Sequence, residues 1–323
     1  MRRRAPLLAM LAIAAALGAG VARAFTDKPV RLIVPAPPGG TIDVFARIIS
    51  DQLAQEIKQP VIVENRPGAG GAVAIKYMLS QPADGQVLLV SVTNVLTEAP
   101  HVLKGGFDPL KDVKPIAQMA RSTLLFIASP QFPAKDAKEA IAYVKAHPGK
   151  ISVASYSPGT SSQYASAILN QKAGLDMAHV AFPGSAPALT QLMGNQIPLM
   201  FDGSVTSKPL IAAGKVKLLA VAYKSRMAEY PDVPTMAELG YPELDFSNWA
   251  GVFASAQTPP ALLEKVHAVL TRINALPAVR ARYANTGFEP IAEPRSLQQA
   301  AEDVRLEYER NGEIVKAFNI RLN

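Results

Sequence analysis

The chain has 323 residues, of which 49% are hydrophobic, and it carries 33 lysines and arginines against 26 aspartates and glutamates. It contains no cysteine, and this excludes disulfides, thiolate catalysis, cysteine-ligated metals and lipidation of an amino-terminal cysteine. The sequence has no basic stripe with interleaved aromatic residues, so the composition argues against nucleic acid as a partner.

The first 24 residues have the pattern of a cleaved secretory signal. Three arginines at 2–4 precede an apolar stretch at 7–21, and Ala-Arg-Ala at 22–24 matches a signal peptidase site. The stretch is shorter than the roughly 18 apolar residues of a membrane span. We therefore expect cleavage after Ala24 and a periplasmic mature chain without stable membrane insertion. Removal of the signal lowers the number of lysines and arginines from 33 to 29, which leaves the mature chain with a small positive net charge.

Apolar runs typical of buried strands alternate with segments of helical periodicity along the mature chain. The first series predicts strands at 30–34, 61–63 and 87–92, with helices at 42–57 and about 69–79. The second series predicts helices near 137–146, 161–173 and 186–193, and strands at 151–154, 179–182, 199–201 and 216–222. Such alternation indicates an α/β protein with mainly parallel sheets and right-handed crossovers.

The length of the mature chain predicts two domains, because single cores tend to divide near 300 residues. Two apolar runs, at 124–128 and 251–254, are placed to cross between the domains and predict a hinge of two crossing strands. Domain 1 then comprises residues 25–125 and 250–323, and domain 2 comprises residues 126–249. The end of the chain is predicted to be helical, with a capping box formed by Ser296 and Gln299.

Four Pro-Gly steps, at 38–39, 67–68, 158–159 and 183–184, each lie between a predicted strand and a predicted helix. The first amides of a helix have no partner inside it, and the helix dipole leaves partial positive charge there, so such a joint favours an anion. One Pro-Gly step alone is typical of an ordinary turn. Four in two parts of the chain predict two sets of loops that face one cleft.

The same loops resemble the signature loops of a known family. Residues 35–47 (PAPPGGTIDVFAR) and 64–71 (ENRPGAGG) are closely similar to those of the Bug receptors, the periplasmic solute-binding proteins of tripartite tricarboxylate transporters. Residues 182–188, 201–202 and 231–238 are similar to later motifs of that family. The resemblance implies a two-domain periplasmic-binding-protein (Venus flytrap) fold without catalytic activity, cofactor or metal. It also implies a monomer that closes on a small mono- or dicarboxylate, with amino acids included among the candidates, and delivers it to inner-membrane transporter subunits.

The candidate ligand site takes residues from both predicted domains. Those of domain 1 are Ala36, Pro37, Gly39, Gly40, Thr41, Asp43, Ala69, Gly70, Gly71 and Asn94. Those of domain 2 are Ser157, Gly159, Thr160, Ser161, Gly184, Ser185, Ala186 and Asp202. We expect amides of the domain 1 loops to hold the carboxylate. The hydroxyls and amides of domain 2 are expected to select the length and polarity of the ligand.

Two aspartates of this set admit two interpretations each. Asp43 either favours its helix amino terminus and braces its own loop, which we prefer, or contacts the ligand through a water or a ligand ammonium group. Asp202 is either a strand-end turn residue or the acceptor for an amino or hydroxyl group of the ligand. Arg47 and Arg66 are expected to be structural.

The sequence leaves the ligand and two other classes of function open. Gln163 and Pro198 replace a histidine and an acidic residue that are usual in the family, so the ligand of no single member can be carried over. An exported α/β enzyme acting on a carboxylated metabolite and a periplasmic ligand sensor are the alternatives. The four histidines are scattered, and no Gly-x-Ser-x-Gly motif occurs, which argues against the enzyme.

Overall fold

The computed structural model describes residues 28–291 and 293–321, so the predicted signal and its cleavage site lie outside the described residues. The strands are β1 (Val30–Val34), β2 (Val61–Asn65), β3 (Val87–Val92), β4 (Val113–Ala128), β5 (Ile151–Ser155), β6 (Met177–Ala181), β7 (Leu199–Gly203), β8 (Lys217–Ala222), β9 (Ser247–Ser255) and β10 (Phe288–Pro290). The helices are α1 (Thr41–Ile57), α2 (Ala72–Leu79), α3 (Asn94–Thr97), α4 (Ala137–Ala146), α5 (Ser161–Ala173), α6 (Ser185–Met193), α7 (Ser204–Ala212), α8 (Pro260–Ala275), α9 (Pro277–Thr286) and α10 (Leu297–Ala317).

Most predicted elements are present with small shifts at their ends. The helices predicted at 137–146 and 161–173 match α4 and α5 at both ends, whereas β6 begins before the predicted residue 179. The helix predicted from about residue 69 is a 3-10 turn, Ala69–Gly71, followed by α2. Gly70 and Gly71 have φ values of 61° and 96°, and this left-handed backbone cannot continue an α-helix.

The ten strands form one mixed sheet in the order β2-β1-β3-β9-β4-β7-β5-β6, with β8 and β10 also paired to β4. Strand β4 pairs with β9 over Val113–Thr123 and with β7 and β8 over Leu124–Ala128. We call β1, β2, β3, β9, β10 and residues 113–123 of β4 the first half of the sheet. The second half consists of β5 to β8 and residues 124–128 of β4.

The prediction of mainly parallel sheets is correct only for the outer strands. The pairings β1–β2, β1–β3, β5–β6 and β5–β7 are parallel, but every pairing of β4 and β9 is antiparallel. Hydrophobic runs predict a buried strand without its direction. Strands β4 and β9, at the centre of the sheet, therefore run antiparallel to every strand with which they pair.

Each half of the sheet has its own hydrophobic core. In the first half, Phe45 of α1 packs against Tyr283 and Phe288, with ring centroids 5.5 Å and 5.4 Å away. In the second half, Phe126 of β4 stacks on Phe201 of β7 at 4.6 Å. Separate cores agree with two domains, although the exact limits at residues 125–126 and 249–250 stay a prediction.

The last helix, α10, contacts the cores of both halves. Val304 packs in the first half beside Trp249, whereas Ile314, Val315 and Phe318 pack against the core of the second half. The predicted capping box is present, because the Ser296 side chain accepts from the Gln299 amide and the Gln299 side chain accepts from the Ser296 amide. Across the described ranges, none of the helices combines the length and the apolar character that a membrane span requires.

Candidate functional site

The carboxyl ends of the parallel strands in both halves open onto one cavity of about 350 Å³. The four Pro-Gly loops, which follow β1, β2, β5 and β6, all contribute to its wall. The floor includes residues 122–124 of β4 and Asn248 of β9. The cavity therefore lies where the chain crosses between the halves, which is where open α/β sheets bind ligands.

Twelve of the eighteen predicted site residues line this cavity: Ala36, Pro37, Gly40, Thr41, Ala69, Gly70, Gly71, Asn94, Ser157, Thr160, Gly184 and Ser185. They come from both halves, so the structure brings the two loop sets together. The other six, Gly39, Asp43, Gly159, Ser161, Ala186 and Asp202, lie outside the lining.

Asp43 is buried behind the loop that follows β1. Its carboxylate accepts hydrogen bonds from the Gly39 amide at 2.9 Å, from Asn65 at 2.9 Å and from Arg47 at 3.0 Å. Burial alone would raise the pKa of Asp43, but the bonds from Arg47, Gly39 and Asn65 outweigh it and hold the pKa below its ordinary value. This geometry favours the interpretation in which Asp43 braces its loop.

The amides of three predicted anion donors are used within their own loops. The Gly39 amide donates to Asp43, the Gly40 amide donates to Pro37 O at 3.2 Å, and the Gly71 amide donates to Gly68 O at 3.0 Å. The expectation that these three amides are free is wrong, because the Asp43 side chain uses the Gly39 amide and the tight turns use the Gly40 and Gly71 amides for their own backbone.

The amides of Thr41, Ala69 and Gly70 make no hydrogen bond to any other described residue, and all three residues line the cavity. Gly70 is required at its position, because a Cβ there would lie 3.2 Å from Pro158 O of the second half and closer still to Leu103. These three amides are the remaining backbone donors of the first two loops.

The loop that follows β5 is held by Gln163. Gln163 Oε1 accepts from the Gly159 amide at 2.7 Å, and its Nε2 donates to Arg321 O at 3.2 Å. Thr160 Oγ1 donates to Ser157 O at 2.8 Å, so the loop presents Ser157 and Thr160 at the cavity wall. Gln163, which departs from the family pattern, thus positions the loop rather than lining the cavity.

Asp202 is fully buried at the end of β7. Its Oδ2 accepts from Thr206 Oγ1 at 2.6 Å and from Ser207 Oγ at 2.8 Å, and its Oδ1 has no partner among the described residues. Burial raises the pKa of Asp202, against the hydroxyls of Ser185, Thr206 and Ser207, which lower it. These contacts at the start of α7 favour the strand-end interpretation.

Sequence reasoning missed five polar residues of the lining: Ser91, Ser122, Thr123, Tyr156 and Asn248. Asn94 Nδ2 donates to the Tyr156 hydroxyl at 3.3 Å and so links the two halves. Tyr156 follows β5 directly, and that position after a strand is the signal that could have identified it. Asn248 carries no comparable signal, because it reaches the cavity only through the pairing of β9 with β4.

The lining contains no aspartate, glutamate, lysine, arginine or histidine among the described residues. Arg47 pairs with Asp43, and the Arg66 guanidinium lies 3.4 Å from the centroid of the Tyr77 ring, so both have structural contacts outside the cavity, as expected. Within 28–291 and 293–321, no three histidine, aspartate or glutamate side chains are grouped to hold a metal. The wall therefore offers neutral donors and apolar surface to a ligand.

Comparison with known proteins agrees with this geometry. A UPF0065 protein of Bordetella pertussis (strain Tohama I) is 30% identical over 314 residues, which are 97% of each chain. The solved periplasmic binding protein BugD is 29% identical with a TM-score of 0.87, and the match covers 92% of this chain and 99% of that one.

Two further similar structures contain bound acids. MatC (Rpa3494) from Rhodopseudomonas palustris, solved with malate, is 32% identical with a TM-score of 0.84 over 90% of this chain and 100% of that chain. Rpa4515 from R. palustris, solved with adipate, is 26% identical with a TM-score of 0.87 over 92% of this chain and 99% of that chain. These matches confirm the predicted periplasmic-binding-protein fold.

A family model described as the tripartite tricarboxylate transporter family receptor matches residues 45–320. This match confirms the predicted family. The chain therefore belongs to the receptor family of tripartite tricarboxylate transporters, which are binding proteins rather than enzymes.

Proposed function

We propose that the protein is a periplasmic receptor that captures a small carboxylate in the cavity between the two halves of the sheet. The observation that carries this proposal is the cavity wall, which combines the unpartnered amides of Thr41, Ala69 and Gly70 with hydroxyl groups and, among the described residues, no charged side chain. The malate and adipate bound by two similar proteins support the same chemistry.

The carboxylate is held by the first two loops. Hydrogen bonds to a charged group contribute roughly 1.5–3 kcal/mol each, and micromolar affinity corresponds to about 8 kcal/mol. Several amides and the Thr41 hydroxyl, together with closure, suffice without a cation. Ser157, Thr160 and Ser185 then contact the far end of the ligand and set its length and polarity.

Capture involves domain closure about β4 and β9. The moving parts are residues 25–125 with 250–323 and residues 126–249. The contact between Thr41 Oγ1 and Thr206 Oγ1, 3.3 Å apart, joins the halves at one edge of the cavity. Closure removes water from the ligand, which strengthens each amide contact.

The remaining parts of the proposal concern location and partners. The signal at 1–24 is cleaved after Ala24, and the mature chain is a monomer in the periplasm. It delivers its ligand to inner-membrane subunits of a tripartite tricarboxylate-type transporter. A sensor would instead bind a signalling partner in a ligand-dependent way, and its deletion would leave uptake intact.

A thermal-shift screen of mono-, di- and tricarboxylates, amino acids and aromatic acids tests the proposal. A ligand at a hundredfold excess over its dissociation constant adds about 2.7 kcal/mol of stability, which raises the melting temperature by several degrees. Mass spectrometry of the hit after prolonged incubation separates a receptor from an enzyme, because only an enzyme forms product. A panel without any stabilising acid would contradict the proposal.

A further inference from the structure

One buried carboxyl group joins the two halves of the sheet beside the cavity. Glu98, which follows α3 in the first half, is 1% exposed. Ser161 Oγ, at the start of α5 in the second half, lies 2.7 Å and 2.8 Å from the two carboxyl oxygens of Glu98. The Tyr164 hydroxyl, also of α5, donates to Glu98 O at 2.8 Å. Asn248, which lines the cavity, donates to both Glu98 and Ser161.

The contacts of Glu98 fit a protonated carboxyl group. One Ser161 hydroxyl proton can reach both nearby oxygens only as a shared three-centre bond, whereas a proton on Glu98 lets one oxygen donate to Ser161 and the other accept from it. Glu98 forms no ion pair with any described residue. Its ionised form would therefore be a buried charge without a counter-ion, which is costly.

The titratable groups that face Glu98 are Glu307 of α10, Tyr164 of α5 and Tyr156 after β5. On its own segment the nearest is His101, whose Nε2 contacts Tyr308 O. Burial raises the pKa of Glu98 to about 8, hydrogen bonds from Ser161 and Asn248 lower it, and the charge of Glu307 raises it. Burial also raises the pKa of Glu307 to about 7.

We propose that protonated Glu98 is a positioning residue that holds the two halves together, so that solute capture takes up a proton. The inference rests on the proposed function, because it requires the halves to separate when the cavity loads. Separation withdraws Ser161 and Tyr164 and exposes the Glu98 carboxyl to water. Exposed glutamate ionises near its ordinary pKa of about 4.3, so the open form releases the proton.

The sign of the pH dependence follows from these two states. The closed form binds more protons than the open form between the ordinary pKa of glutamate and about 8. Solute affinity is therefore greatest at the acid end of this range and falls as the pH rises through about 8. Full linkage of one proton changes the affinity by about tenfold for each pH unit.

Calorimetry with malate and adipate as probes, from about pH 6 to about pH 8, tests the inference. The wild-type protein is expected to lose at least about tenfold in affinity over this range. Glu98→Gln keeps a neutral side chain of the same shape. Over the whole range, this variant should therefore bind each probe with the affinity that the wild-type protein has at about pH 6. Both carboxyl groups of each probe are ionised over most of this range, so the probes contribute little to the change.

Glu307→Gln is the matched control. Glu307 accepts from Trp249 Nε1 at 3.1 Å and interacts with Thr93, and both partners belong to the first half, so its burial does not depend on closure. This variant should keep the fall in affinity with rising pH, but the fall should end at a lower pH, because the charge of Glu307 no longer raises the pKa of Glu98. If Glu98→Gln fails to fold, Glu98→Met supplies a second neutral side chain.

A wild-type affinity that is constant over the range, or a Glu98→Gln variant with the wild-type slope, overturns the inference. Failure of both acids to bind at any pH counts against the proposed function instead. Urea unfolding of the ligand-free protein, held closed by the disulfide of an oxidised Thr41→Cys/Thr206→Cys variant, then decides. Its free energy of unfolding should fall from about pH 6 to about pH 8 by more than that of the same variant with Glu98→Gln, and equal losses would refute the role of Glu98.

Discussion

Asp43 holds the loop after β1 from behind the cavity wall, through Gly39, Asn65 and Arg47. Asp43→Asn removes the charge that these donors share, so we expect a loss of about 1–3 kcal/mol in the free energy of unfolding and weaker binding of the acid. Urea denaturation and calorimetry measure the two effects. Because the pKa of Asp43 is held low, its stabilisation is present at neutral pH and disappears as the pH falls below about 4.

Asp51→Asn is the control for this substitution, since the Asp51 side chain is 59% exposed and pairs with Arg282 at the surface. Its effect on stability should stay within about 0.5 kcal/mol. A strong loss of affinity in Asp43→Asn with unchanged stability would favour the other interpretation, in which Asp43 contacts the ligand.

In the proposed function, the start of α1 and the 3-10 turn at Ala69–Gly71 hold the ligand carboxylate with amides rather than cations. Binding should therefore require an ionised carboxylate but depend little on salt, because buried dipoles are screened less than surface charges. For the acid identified by thermal shift, the matched carboxamide should bind at least about tenfold more weakly, through loss of charge-assisted hydrogen bonds. Calorimetry with both compounds at low and high salt measures this.

Equal affinity for the acid and its carboxamide would contradict the assignment of these two amide groups. A steep fall in affinity with salt would point to a cation that reaches the ligand. Arg47 and Arg66 are the nearest candidates by sequence, and their alanine variants would then identify which one acts.

Opening and closing of the whole molecule can be tested by a disulfide, because the chain has no cysteine of its own. Thr41 and Thr206 face each other across the halves, with hydroxyl oxygens 3.3 Å apart. Oxidised Thr41→Cys/Thr206→Cys should slow both association and release of the ligand by at least about tenfold, since the cavity can no longer open. Stopped-flow kinetics before and after reduction measure the rates.

The reduced form of the double variant is its own control and should exchange ligand rapidly. Unchanged rates in the oxidised protein, with the disulfide verified by mass spectrometry, would mean that the ligand enters without separation of the halves. Domain closure would then be wrong, while carboxylate binding would stand.

The helices and the outer, parallel strands could be predicted from the sequence, because they depend on local patterns of residues. Strands such as β5 and helices such as α5 follow from apolar runs and helical spacing within a few residues. The antiparallel centre could not be predicted, because the direction of β9 depends on its pairing with β3 and β4, distant in the chain. The same loop motifs that predicted the fold also located the cavity.

The finer chemistry of the site needed the structure. Gly39, Gly40 and Gly71 were expected to offer amides, but turn geometry uses those amides locally. Glu98 meets Ser161 across a separation of 63 residues, and Asn248 meets Ser161 across 87 residues. Contacts of this kind arise from packing between the halves, and no local pattern encodes them.

Three consecutive residues of β4 serve two purposes at once. Ser122 and Thr123 pair with β9, Leu124 pairs with β7 and β8, and all three line the cavity. A solute that rests on them lies directly on the joint about which the chain would bend. A bound ligand should therefore restrict the motion of these three residues directly. Hydrogen exchange of their backbone amides should be slower in the ligand-bound receptor than in the ligand-free receptor.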